Sequence, residues 1–108
     1  VASWRRLTFP VPPVRGLELA GEGLALEAVK PAEDGDGIVV RVVNFGRDPT
    51  DGVWRSGGPI TGAERLRADE SAGESLAVGH EGRSVRFHAA PGEIVSIRLR
   101  VKPGPLQR

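Results

Sequence analysis

Two runs of alternating apolar residues, joined by an acidic glycine turn, constrain this chain more than any other stretch. Leu24, Leu26 and Ala28 alternate with Ala25 and Glu27, and Ile38, Val40 and Val42 alternate with Val39, Arg41 and Val43. A period of two with β-branched residues is the pattern of a strand with one buried face. Between the runs lies Glu33-Asp34-Gly35-Asp36-Gly37. Glycine accepts positive φ without steric cost and an Asp side chain can bond its own backbone, so Asp-Gly steps reverse a chain. Pro31 has no amide hydrogen to give a ladder and closes the first run. Residues 24–30 and 38–44 are therefore predicted to be antiparallel neighbours.

The same punctuation recurs along the chain. Strands are predicted over 14–20, 24–30, 38–44, 52–56, 62–68, 75–79, 83–89 and 93–101, separated by Gly, Pro and Asp clusters such as Asp48-Pro49 and Pro91-Gly92. Many short strands at this spacing argue for an all-β fold, and two packed sheets are the simplest outcome at 108 residues. The expectation is a single antiparallel β-sandwich of about seven to eight short strands over 14–108. An extended, Pro-rich lead-in occupies 1–13. Residues 61–72 contain good helix formers, but Leu66 is their one large apolar side chain, so no stripe exists to dock a helix. That stretch is read as strand and loop. Leu26, Ile38, Val40, Val42, Phe87, Ile94, Ile97 and Leu99 are expected to supply much of the core.

Composition argues against several functions. The net charge is +1, from 15 basic and 14 acidic residues that are interspersed, whereas nucleic-acid binders carry a one-signed patch. No apolar run approaches the roughly 20 residues of a membrane span, and no leader pattern is visible. The chain has no Cys and two His, which disfavours a zinc site and is compatible with a cytoplasmic home. Arg in excess of Lys, no Met and nine Pro hint at a thermophilic source. Glu33, Asp34 and Asp36 are the right hard ligands for calcium, but EF-hand spacing fails, and turn geometry alone explains them. His80 and His88 have no accompanying motif, and no Ser sits in a nucleophile elbow. No catalytic residue, cofactor site or metal site is assigned.

Four residues are candidates for a surface that meets something else. Trp4 and Phe9 are apolar for a free lead-in. Arg41 sits mid-strand among valines, which suits an exposed face or one covered by a partner. Trp54, in Gly52-Val53-Trp54-Arg55, is either packed in the core or available to stack on a sugar ring.

The stretch Val29–Asn44 resembles the C-terminal β-sandwich of family 38 glycoside hydrolases, the α-mannosidases. That family pairs a Leu-Lys strand end with an acidic D-G-D-G turn and a strand ending Arg-x-x-Asn. Here these are Val29-Lys30, Asp34-Gly35-Asp36-Gly37 and Arg41-Val42-Val43-Asn44. A second block, Pro91-Gly92-Glu93-Ile94 running on to Leu99, is similar to the family's closing strand. Val43, Phe45 and Ser96 depart from the aromatic, Pro and Thr common there. In such enzymes the metal and the nucleophile belong to the N-terminal catalytic domain, so the resemblance carries over no catalytic residue. It implies a non-enzymatic packing domain whose partner is an α-mannosidase-like catalytic domain, in the same or a separate chain, with self-association possible if the packing surface is bare. A stand-alone carbohydrate-binding module, which needs Trp54 exposed, and a homo-oligomeric structural domain are the alternatives.

Overall fold

The computed structural model describes residues 5–6, 17–32, 37–57, 59–67, 69, 71–79 and 82–101. Nine strands run through them: β1 Arg5–Arg6, β2 Glu18–Ala20, β3 Leu24–Pro31, β4 Ile38–Asn44, β5 Thr50–Arg55, β6 Ile60–Leu66, β7 Ala72–Ser75, β8 Ser84–Ala89 and β9 Ile94–Val101. Every pairing is antiparallel. The strands form a four-stranded sheet in the order β1-β2-β5-β8 and a five-stranded sheet in the order β3-β4-β9-β6-β7. The all-β sandwich expected from the alternating runs is the observed architecture.

Alternation explains the layering. Leu19, Trp54, Val85 and Phe87 come from the four-stranded sheet, and Val40, Val42, Ile97 and Leu99 from the five-stranded one. Together they form one buried cluster between the sheets, the favourable term that offsets chain ordering. β3 and β4 pair as the acidic turn predicts, with Val29 opposite Val40 and Pro31 opposite Ile38. The described residues of 61–72 contain strand and no helix, as the missing apolar stripe implied.

Three expectations need correction. Strict alternation in β3 fails, because a bulge between Leu26 and Ala28 places Val29, not Ala28, against the core. An edge strand with a bulge and a terminal Pro is a poor template for further pairing. The strand expected over 75–79 is instead β7 at Ala72–Ser75, followed by an isolated bridge from Val78 to Val85. Ala72-Gly73-Glu74-Ser75 lacks β-formers; Gly73 passes so close to the Arg65 carbonyl that a Cβ would collide with it. Ile94 is 56% exposed rather than core, because its register partner Val43 belongs to the outer face of the five-stranded sheet.

Three connections that switch sheets converge at one end of the sandwich: residues 21–23, 45–49 and 90–93. Asn44, fully buried, ties them together. Its Nδ2 donates to the Asp48 and Ala89 carbonyls, each at 3.0 Å, and its Oδ1 accepts from the Gly46 amide at 2.8 Å. Its backbone accepts from Gly92 N at 2.8 Å and donates to the Glu93 carbonyl at 3.1 Å, while Phe45 N reaches the Gly23 carbonyl at 2.8 Å. Pro91 then Gly92, at φ 77°, with Glu93 N bonded to the Ala90 carbonyl, is the arrangement a type II turn requires.

Candidate interdomain interface

Of the acidic turn, only Gly37 lies among the described residues; Asp34, Gly35 and Asp36 lie outside them, as do Trp4, Phe9 and His80. Gly37 has φ 95°, and its carbonyl accepts from Ala32 N at 3.0 Å, closing the loop. A Cβ at this position would run into the Leu99 carbonyl of β9. The last Gly of the motif therefore answers both to the turn and to a distant strand.

Trp54 is fully buried, between Leu19 and Val85 in register, at the centre of the core. Its proposed place on an interface is corrected by that burial, and its ring is not offered to a sugar. His88 stands exposed on the face of β8 opposite Phe87, with Nδ1 2.8 Å from Asp51 Oδ1.

Arg41 lies half-buried on the outer face of the five-stranded sheet, which it shares with Val39 and Val43. Its Nε donates to Ser96 Oγ at 3.2 Å, and NH1 lies 4.0 Å from Glu27. Val39 and Val43 are buried although they point away from the sandwich interior. Val39 is flanked by Lys30 and Arg98, whose aliphatic stems can cover it, and Arg98 Nε lies 4.0 Å from Glu64 Oε1. Leu66, also on this face by its pairing with Ser96, joins Val39 and Ala32 in a small second cluster. An open depression of about 240 Å³ lies here, lined by Arg41, Leu66, Arg67, Ile94 and Ser96.

The rim beside it is firmly held. Glu93 Oε2 accepts from Arg65 NH2 at 2.8 Å, and Oε1 accepts from Ala90 N at 2.9 Å. The Ala90 amide foremost, and the Arg65 charge beside it, hold the Glu93 carboxyl below the usual carboxylate range against the opposing effect of burial. Arg65 NH1 also donates to the His88 carbonyl at 2.7 Å, bridging the two sheets. Sequence reading missed this bridge and the depression, since both depend on which strands become neighbours.

The chain is thus a two-sheet antiparallel β-sandwich, clamped at one end, with Val39, Val43, Leu66 and Ile94 set among Arg41, Ser96 and Arg98 on one outer face. Residues 23–97 match the glycosyl hydrolases family 38 C-terminal beta sandwich domain, and the chain belongs to that family. No curated protein and no solved structure is matched by it.

Proposed function

We propose that this chain is a non-catalytic C-terminal sandwich of an α-mannosidase-like glycoside hydrolase, and that it packs against the catalytic domain through the outer face around Arg41. The observation that carries this reading is Ile94, a large aliphatic side chain 56% exposed beside buried Val43 on that face. An apolar surface with polar groups at its margin is the usual composition of a packing interface. The family match supports the parent enzyme, and the cysteine-free sequence supports a cytoplasmic location.

The test is co-expression with the catalytic polypeptide encoded beside this chain or in frame with it, a protease site being cut after assembly in the second case. The wild-type chain is expected to stay bound. Ile94→Arg is expected to weaken binding by about tenfold or more. Arg86→Glu, on the outer face of the other sheet, is expected to leave it unchanged. Failure of the wild-type chain to bind would reject the packing role.

A further inference from the structure

Phe45 is 74% exposed, more than any other large hydrophobic among the described residues, and it follows directly on the buried Asn44. Among the described residues its ring is left largely uncovered, yet its backbone is held on every side. Its own amide is bonded to the Gly23 carbonyl, the next amide to Asn44 Oδ1, and the Asp48 carbonyl to Asn44 Nδ2. On the preceding side, Asn44 is fixed by Gly92 and Glu93. An exposed aromatic on so constrained a backbone loses little further freedom when it is buried by a partner, and such preorganised rings dominate binding energy. Phe45 lies two residues beyond Val43, whose register partner is Ile94, so the two most exposed large hydrophobics among the described residues share one corner of the sandwich.

The chemistry beside that corner restricts the partner. Among the described residues the depression containing Ile94 is lined by Arg41, Arg67, Leu66 and Ser96 and by no carboxylate, while outside it Glu27 lies 4.0 Å from Arg41 and the Arg67 charge acts on Asp69. Arg47, two residues past Phe45, adds a further exposed cation. Opposite-charge pairing at the margin of an apolar contact fixes orientation and excludes wrong partners.

We infer that Phe45 is the anchor of the interdomain contact, seated in an apolar socket on the catalytic domain, and that a carboxylate beside that socket enters the depression between Arg41 and Arg67. This inference rests on the packing role proposed above. It is tested in the same cleaved or co-expressed assembly with Phe45→Ala and Arg67→Glu. Phe45→Ala is expected to weaken binding by about 30-fold, the scale of a hot-spot residue, while leaving the urea midpoint of the chain unchanged. Arg67→Glu is expected to weaken it by about tenfold, and raised salt to weaken the wild type in the same direction.

Binding by Phe45→Ala within about threefold of wild type, with Ile94→Arg still disruptive, would overturn the anchor and leave the packing role standing. Loss of stability in Phe45→Ala would make the ring structural and equally overturn it. Indifference to Arg67→Glu and to salt would overturn the carboxylate. Loss of a homodimer, rather than of the catalytic complex, would overturn the choice of partner. Absence of any wild-type complex would overturn both readings.

Discussion

On the four-stranded sheet the outer residues behave as an antiparallel sheet in water requires. Arg55 donates to Glu18 through Nε at 2.8 Å and also through NH2, Asp51 meets His88, and Arg86 stands exposed. On the five-stranded sheet the same positions hold Val39, Val43, Leu66 and Ile94, with arginines laid among them. The second face is mixed even at its centre, where Glu64 meets Arg100 at 2.7 Å and Arg98 at 4.0 Å, so the difference lies in the aliphatic side chains set between those groups. Exposed charge pairs contribute little stability, and their value on the first sheet is that they keep the face soluble and unattractive. On the second face Val39, Val43 and Leu66 are covered within the domain and Ile94 alone of the four stands open to water.

The comparison assumes that both faces belong to one rigid body, and the strongest way to break it is at the clamp. Asn44→Ala leaves the Asp48 and Ala89 carbonyls and the Gly46 amide without their side-chain partner. A loss of about 3 kcal/mol in unfolding free energy is expected, read by urea denaturation. A loss below about 1 kcal/mol would show that the sheet-switching turns hold without it.

A sharper comparison substitutes the same residue on each face. Val39→Thr and Val53→Thr keep β-branching and shape but add a hydroxyl. Val39 is buried and Val53 is only half-buried. The expected cost is about 1–2 kcal/mol at position 39 and within about 0.5 at position 53. Equal costs would mean that the two outer faces are solvated alike.

The smallest effect concerns the rim. Glu93 has a lowered carboxyl pKa, so its stabilisation is fully present above the ordinary carboxylate range and is lost as pH falls through its lowered value. Its side chain is 41% exposed, and solvent screening keeps the contribution small. Glu93→Gln retains an acceptor for Ala90 N but carries no charge. Its stability is expected to fall less steeply with acid than that of the wild type, measured by urea midpoints across the carboxylate range. Parallel acid limbs would remove Glu93 from the account.

Much of this fold could be read from local signals. Alternation in 38–44 and 94–101, and the glycine turns between strands, gave strand positions and the inward residues of β4 and β9. The two blocks that carried the family resemblance, 29–44 and 91–99, were legible as separate strings. Their pairing as β4 and β9 was not, nor was the meeting of Asn44 with Gly92 and Glu93, because strand order is a long-range property. Ile94 was misplaced because alternation gives two faces without saying which is inward, and Val43 and Ile94 look alike on either. β7 was displaced because its residues have no strand preference and are held by the neighbouring strand. Of the interface candidates, Arg41 was recognisable as an anomaly among valines. Trp54 was ambiguous, since a lone Trp suits a core as well as a platform.

The order of strands carries one more consequence. β9, the last strand described, is not at an edge: it lies between β4 and β6, and its Leu99 carbonyl abuts Gly37. A ribosome making this chain from its N-terminus exposes the valine-rich edge of β4 and the edge of β6 long before the strand that fills the gap between them emerges. Closure of that sheet waits on residues 94–101, and pairing at such sequence separation is slow. Until β9 emerges the nascent chain carries the unpaired backbone edges of β4 and β6, a window in which mispairing with another copy competes with folding.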